Sequence, residues 1–167
     1  MNRIDDTILY YINDKLTNPI LEKFMIFCTH MGDFCFIWLA YCITAFLRGE
    51  RKLVVALVVV MLLVNAINNG FIKAIFRRKR PFEDHPDIKI HINNPYGSSF
   101  PSGHSANGFA CAIVIGYFYP NFGFIAFIIA SLIAISRMYL KVHYFTDVFF
   151  GSLVGILIGI AYVAIIW

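Results

Sequence analysis

Charged side chains are scarce in this sequence: they make up 14% of its 167 residues, against 59% for hydrophobic residues. Soluble domains carry about 25% charged and about 45–50% apolar residues, so this composition excludes an ordinary soluble domain. The mean hydropathy is +0.70. We therefore expect an integral membrane protein, an all-α polytopic bundle of about five to six helices that span the bilayer or lie in it, with one domain over residues 1–167.

The sequence also lacks the patterns that mark metal, redox and nucleic-acid sites. No C-x-x-C pair occurs among its cysteines, which we interpret as small buried hydrophobes: Cys28, Cys35, Cys42 and Cys111. Basic and aromatic residues do not interleave as they do in nucleic-acid modules. The net charge of +4 is therefore assigned to an anionic lipid partner, and no nucleic acid, metal or cofactor is expected.

The N-terminus lacks the uninterrupted apolar core of a cleaved signal peptide. Polar residues interrupt it at four positions: Asp5, Asp6, Asn13 and Asp14. Apolar residues recur at helical spacing instead: Ile4, Ile8, Ile12 and Leu16. This spacing predicts an amphipathic helix over residues 1–18 that lies in the membrane interface, or equally a packing helix of a compact bundle.

Five apolar runs follow, at about 19–47, 53–76, 103–119, 122–138 and 145–166. Asp33 interrupts the first run, which can therefore also be a short helix that leads into a span of about 34–47. The second run contains three amides that are expected to face other helices: Asn65, Asn68 and Asn69. The polar stretch 79–100 shows no helical or strand pattern, and loops of this length are usually functional or disordered; we predict a loop at the active site.

Helices that alternate in direction would bring the polar ends of these runs to one face. If the second run ends at the face that carries Lys73, the third run starts there at Ser102. The fourth run then returns to this face at Arg137, and the fifth leaves it near His143. Scattered polar residues would produce this agreement only occasionally, so we predict a single site at this face.

His143 and Asp147 lie four residues apart at the start of the last run, so they project from the same side of a helix. A carboxylate bonded to one imidazole nitrogen fixes the tautomer and leaves the other nitrogen free as base or nucleophile. An acid at a helix start beside a structural histidine is the alternative.

Ser102, Gly103 and His104 begin the third run. Ser102 is a plausible N-cap after Pro101, and Gly103 allows a close backbone approach to the unpaired N–H groups of the first turn. Such groups favour an oxyanion. An ionisable residue such as His104 at the edge of an apolar run indicates function.

Lys73, Arg80 and Arg137 supply enough positive charge to neutralise a phosphoryl group without a metal. Each of them could instead extend to the lipid headgroups. For three other cations this second interpretation is preferred: Arg77, Arg78 and Lys79.

Taken in order, these strings resemble the three-part signature of the type 2 phosphatidic acid phosphatase (PAP2) superfamily, which includes lipid phosphate phosphatases and vanadium haloperoxidases. The matching strings are Lys73 with Arg80-Pro81, then Pro101-Ser102-Gly103-His104, then Ser136-Arg137 with His143 and Asp147. They span about 73–147. The membrane character of the chain agrees with the phosphatase branch and argues against a soluble haloperoxidase.

The resemblance implies a role for each residue. His143 would be the nucleophile that forms a phosphohistidine, Asp147 would orient it, and His104 would protonate the leaving oxygen. The phosphate oxygens would be held by Lys73, Arg80, Ser102, Gly103 and Arg137. Ser136 and Pro101 would support these residues, and the resemblance implies neither a metal nor a cofactor.

Two positions depart from the bacterial pattern. Lys141 stands where glycine is frequent before the histidine, and Phe145 stands where proline is common after His-Tyr. Lys141 either contacts the second phosphate of a diphosphate substrate or extends to solvent or headgroups.

We therefore expect a metal-independent phosphatase that cleaves a phosphate monoester or diphosphate from a lipid. The resemblance implies undecaprenyl diphosphate, phosphatidylglycerophosphate, phosphatidic acid or a lipid A phosphate as substrate, and a site on the extracytoplasmic face of the cell membrane. Loop charge supports this orientation only in part, because both faces carry cations. A lipid phosphotransferase of the same fold and a non-catalytic binder or transporter of anionic lipids are the alternatives, and the oligomeric state stays open.

Overall fold

The computed structural model describes residues 3–90 and 92–166. The first two residues of the predicted N-terminal helix, residue 91 of the polar loop and residue 167 lie outside the described residues. The α-helices of the described part are α1 (Arg3–Lys15), α2 (Pro19–Gly32), α3 (Phe36–Leu47), α4 (Arg51–Val64), α5 (Lys73–Phe76), α6 (Pro81–Asp84), α7 (Gly103–Phe118), α8 (Pro120–Tyr139) and α9 (Phe145–Ile166). A 3₁₀-helix (Asp33–Cys35) joins α2 to α3, and a π-helix (Asn65–Ile72) joins α4 to α5.

Four stretches are long and apolar enough to cross a membrane: Pro19–Leu47, Arg51–Asp84, Pro120–Tyr139 and Phe145–Ile166. α7 has 16 residues and lies among them, packed against α4, α8 and α9. Several of its small residues are fully buried: Ala106, Ala110 and Ala112. The predicted all-α membrane bundle is confirmed, with α7 as its central helix.

Glycines set the short distance between α7 and α9. A Cβ atom on Gly155 would lie 2.1 Å from the carbonyl oxygen of Ala106, and one on Gly151 would lie 2.5 Å from that of Ser102. Only a residue without a side chain permits this approach, as in other close helix pairs in membranes. As a result, the start of α9 lies beside the start of α7, where the Ser102 N–H donates to the Asp147 carbonyl at 2.9 Å.

α1 packs against the start of α9. Asp5 is only 1% exposed and accepts hydrogen bonds from the Thr146 N–H at 2.9 Å and the Thr146 hydroxyl at 2.7 Å. Leu9 is buried with Ile88 and Tyr144. These contacts pack α1 against the bundle, and the location of residues 1–18 in the membrane interface stays a prediction.

The first apolar run is two helices with a sharp turn between them. Phe34 (φ 50°) and Cys35 (φ 60°) both adopt left-handed backbone conformations. For residues other than glycine this conformation costs roughly 1–2 kcal/mol each. The turn carries Asp33 toward α7, which no single straight span could do.

The polar stretch 79–100 contains one helical turn that the sequence did not predict. Pro81 begins α6, and the Glu83 carboxylate accepts the Arg80 N–H at 2.7 Å, which closes a capping box. Proline at the first helical position and a glutamate two residues later stabilise such a short turn. Outside α6, the described residues of this stretch form irregular loop.

Candidate active site

A cavity of about 430 Å³ opens where α4–α5, α7 and the α8–α9 turn meet. It is lined by Gly32, Phe34, Cys35, Asn65, Asn69, Lys73, Arg80, Pro95, Gly103, His104, Asn107, Arg137 and His143. Six residues predicted from the sequence are in this set: Lys73, Arg80, Gly103, His104, Arg137 and His143. Both histidines and three cations thus share one space.

His143 presents one ring nitrogen to Arg80 and the other to Asp147. Arg80 Nη1 lies 3.2 Å from Nε2, and because a guanidinium only donates, Nε2 must be the unprotonated nitrogen. Nδ1 therefore carries the hydrogen and lies 3.6 Å from Asp147 Oδ2. Burial, together with the positive charges of Arg80 and Arg137, holds the pKa of His143 well below its ordinary value. The ring is therefore neutral and can act as a nucleophile.

Asp147 is held by several donors and is fully buried. Its Oδ2 accepts the Ser99 hydroxyl at 2.6 Å and the Tyr144 N–H at 2.8 Å, while its Oδ1 accepts Arg78 Nη1 at 2.7 Å. At 3.6 Å the contact with His143 is longer than a hydrogen bond. The carboxylate is therefore fixed opposite Nδ1, close enough to stabilise a positive charge on the ring.

Arg78 does not extend to the headgroups as predicted. Its guanidinium bridges Asp147 and Asp5, at 2.7 and 2.8 Å, and lies 4.1 Å from the centre of the Tyr144 ring. The prediction was wrong because Asp5 and Asp147 are far from Arg78 in sequence, so no local spacing indicates the contact. Arg78 thereby links α1 to the carboxylate behind the nucleophile.

His104 has a partner that the sequence did not predict. Its Nε2 lies 2.9 Å from Asp33 Oδ1, and Asp33 Oδ2 lies 2.7 Å from His30 Nδ1. The 3₁₀-helix places Asp33 here, and a Cβ atom on Gly32 would lie only 2.7 Å from the His104 ring. An acidic residue inside an apolar run was the available signal, because such residues usually mark functional sites.

Arg137 is fixed by Thr29, whose hydroxyl accepts Nη1. Ser136, predicted to support Arg137, instead donates its hydroxyl to the Ile133 carbonyl at 2.6 Å, within its own helix. The correction has a simple cause: a buried serine in a helix commonly bonds the carbonyl of the preceding turn. Arg137 Nε is buried without a hydrogen-bond partner among the described residues.

Ser102 and Pro101 lie behind the cavity rather than on its wall. The Ser102 hydroxyl accepts the Ser105 N–H at 3.4 Å and the Ser105 hydroxyl at 3.0 Å, so it caps α7. The Pro101 carbonyl accepts Asn68 Nδ2 at 3.4 Å. Direct phosphate binding by the Ser102 side chain therefore does not fit this arrangement, whereas Gly103 lies on the cavity wall.

Arg80 anchors the polar loop to the site. It donates to the carbonyls of Tyr96, Gly97 and Val142, at 3.2, 3.1 and 2.9 Å. Together with the Ser99 bond to Asp147, these contacts tie both ends of the described loop to the residues that flank His143.

Lys141 lies outside the cavity. Its amine donates to Asn13 of α1 at 3.0 Å, and it is only 9% exposed, so neither a second phosphate nor solvent is its partner. Its backbone is left-handed (φ 59°), a conformation that favours glycine. This conformation explains why glycine suits the position, while the bond to Asn13 shows that the lysine fastens α1.

Comparisons with known proteins show what the chain as a whole is similar to. The model of the PAP2 superfamily matches residues 53–167. The lipid A 4'-phosphatase of Porphyromonas gingivalis is 25% identical over 162 residues, which cover 90% of this chain and 68% of that protein. The decaprenylphosphoryl-5-phosphoribose phosphatase of Mycobacterium tuberculosis is 33% identical over 135 residues, which cover 78% of this chain and 72% of that protein.

A solved structure extends the likeness to almost the whole fold. The crystal structure of Aquifex aeolicus LpxE superposes with a TM-score of 0.86 at 26% identity and covers 98% of this chain and 96% of that one. The family model alone spans more than half of the sequence. The chain therefore belongs to the PAP2 superfamily, among its membrane-embedded lipid phosphatases.

Proposed function

We propose that this protein hydrolyses the phosphate ester or anhydride of a membrane lipid through a phosphohistidine at His143. The observation that carries the proposal is the single cavity shared by His143, His104 and three cations. Phosphoryl transfer needs positioning and neutralisation of the equatorial oxygens more than covalent chemistry. Lys73, Arg80 and Arg137 supply that charge, so we expect turnover to persist in EDTA.

In the first step, the Nε2 lone pair of His143 attacks phosphorus while the bond to the lipid oxygen breaks. His104 gives its proton to that oxygen, so the lipid leaves as an alcohol or, from a diphosphate, as a monophosphate. Arg80 must release Nε2 for this attack, and the incoming phosphate oxygens offer its guanidinium a charged acceptor in exchange. Asp147 stabilises the positive charge that the phosphorylated ring carries.

In the second step, water attacks the phosphohistidine. His104, now neutral, takes a proton from the water, the N–P bond breaks, and inorganic phosphate leaves. His143 regains its lone pair and His104 its proton, so the cycle closes without a change in either residue.

The proposed substrates are the lipids that the resemblance implied: undecaprenyl diphosphate, phosphatidylglycerophosphate, phosphatidic acid or a lipid A phosphate. The names of the two relatives support a lipid phosphate and differ in the lipid. We propose further that the protein lies in the cell membrane with the cavity on the extracytoplasmic face.

The test is phosphate release by purified protein in detergent with EDTA, across these four lipids, with His143→Ala in parallel. We expect release from at least one lipid by the wild type and none by the variant. Full activity in the variant would exclude His143 as the nucleophile. Complete inhibition by EDTA, reversed by a divalent ion, would show that the cations alone do not suffice.

A further inference from the structure

Three amide side chains line the same cavity as the three cations. Asn65 and Asn69 belong to the π-helix and precede Lys73 at intervals of four residues, and Asn107 stands one turn into α7 from Gly103. π-helices occur frequently at functional sites, because they shift side chains out of the ordinary helical register. Only Asn68 of the π-helix is buried between helices as the sequence predicted.

The amides are bonded to one another and to the backbone, but not to capacity. Asn69 Nδ2 donates to Asn65 Oδ1 at 2.7 Å, and Asn107 Nδ2 donates to the Gly103 carbonyl at 3.2 Å. A carboxamide offers two donors and an acceptor with two lone pairs, so each Nδ2 keeps a second hydrogen.

Asn107 in particular has an unused acceptor. The residue is 6% exposed, and its Oδ1 is buried without a hydrogen-bond partner among the described residues. A buried amide oxygen that stays unpaired costs roughly 1–3 kcal/mol, so a ligand that donates to it gains affinity. Neighbouring Gly103 lets the Asn69 side chain approach closely, since a Cβ atom there would lie 2.6 Å from Asn69 Oδ1.

The charge of the cavity limits which chemical groups can bind beside the three amides. The described residues that line it include the cations Lys73, Arg80 and Arg137, and the proposed mechanism uses all three on one phosphoryl group. A second phosphate would find no further lysine or arginine among the described lining residues. Neutral amides that both donate and accept instead match hydroxyl groups.

We propose that Asn65, Asn69 and Asn107 form a subsite for hydroxyl groups on the part of the lipid that carries the scissile phosphate. The preferred substrates are then phosphates of a glycerol or sugar headgroup, rather than an isoprenoid diphosphate or phosphatidic acid, which carry no hydroxyl there. The inference rests on the proposed phosphatase function and narrows its substrate class.

The experiment compares kcat/KM for two hydroxyl-bearing lipids, phosphatidylglycerophosphate and a lipid A phosphate, with kcat/KM for phosphatidic acid and undecaprenyl diphosphate. The variant is Asn107→Leu, which keeps the side-chain shape and removes both polar atoms. Asn121→Leu, at an exposed position near the start of α8, is the matched control. We expect the wild type and the control to favour a hydroxyl-bearing lipid, and Asn107→Leu to reduce that preference about tenfold. The lipid whose kcat/KM falls more in Asn107→Leu identifies glycerol or sugar as the group that the subsite binds.

A binding measurement separates the two proposals. His143→Ala, alone and combined with Asn107→Leu, is titrated with the same lipids, and bound lipid is counted by native mass spectrometry. A preference for hydroxyl-bearing lipids that Asn107→Leu reduces supports the subsite, even if no lipid releases phosphate and the phosphatase proposal fails. Equal losses for all four lipids in either measurement, or a wild-type preference for undecaprenyl diphosphate, would overturn the subsite while leaving the phosphatase intact.

Discussion

The carboxylate of Asp33 is expected to act on catalysis through His104. Asp33→Asn keeps the shape of the side chain and an oxygen that can accept from His104 Nε2, so the substitution removes charge rather than contact. A hydrogen bond to a charged partner contributes roughly 1.5–3 kcal/mol. The side chains of His104 and Asp33 are 23% and 38% exposed, which places this pair at the lower end of that range. Since each 1.36 kcal/mol is a factor of ten in rate, kcat should fall about tenfold to thirtyfold.

The assay compares two substrates that differ in their need for an acid. An alkyl lipid phosphate leaves as a poor alkoxide and requires protonation by His104, whereas an aryl phosphate such as p-nitrophenyl phosphate leaves readily without it. Asp33→Asn should therefore lower kcat strongly for the lipid and much less for the aryl phosphate. A residue that only supports the fold would lower both equally.

His30→Ala provides the control, because His30 contacts the other oxygen of Asp33 with a side chain that is 61% exposed. We expect it to change kcat by less than about twofold, as exposed pairs contribute little. A lipid kcat for Asp33→Asn within twofold of wild type would refute the positioning role, and so would equal losses for both substrates.

Three other predictions concern stability and pH. Arg78→Gln leaves two buried carboxylates without their cation and should lower the free energy of unfolding by about 2–3 kcal/mol. This loss is smaller than for a fully buried pair because Arg78 is 25% exposed. Arg77→Gln is the control, and equal melting temperatures of the two variants would contradict the bridge. Gly155→Ala places a Cβ atom against the backbone of α7 and should lower the free energy of unfolding by roughly 1–3 kcal/mol. Gly70→Ala is the control, because its Cβ atom would meet no atom closer than 3.7 Å. A Gly155→Ala variant as stable as the wild type would show that α7 and α9 can separate freely. Because the pKa of His143 is lowered, its ring stays neutral as the pH falls below the ordinary histidine value of about 6.5. The value of kcat/KM, corrected for substrate ionisation, should therefore not decrease just below pH of about 6.5. A decrease of kcat/KM that sets in at or above pH of about 6.5 would contradict this.

Local sequence patterns predicted the helices, because the formation of a helix depends on residues that are close in sequence. Apolar runs located the spans of α4, α8 and α9, and an N-capping serine located the start of α7. The interval of four residues between His143 and Asp147 correctly indicated that the two side chains face each other, but His143 lies in the turn before α9 rather than in the helix. These inferences required only helical geometry, which the sequence determines locally.

Contacts between distant segments could not be predicted in this way. Arg78 and Asp5 are 73 residues apart, and His104 and Asp33 are 71 residues apart. The second pair also depends on the left-handed turn at Phe34 and Cys35, which no propensity of these residues favours. For the same reason, the partner of Arg137 is Thr29 and not the predicted Ser136, because this contact depends on tertiary packing rather than on neighbouring sequence.

The central claim is that His143 becomes phosphorylated, and the most direct measurement is mass spectrometry of the protein quenched during turnover. His104→Ala should accumulate the adduct, because it lacks the base that activates water in the second step, especially with a substrate that leaves without an acid. We predict an acid-labile, base-stable phosphoryl group on His143 in this variant, and none when His143→Ala is added. Phosphate release without any adduct on His143, or an adduct on another residue, would contradict the mechanism.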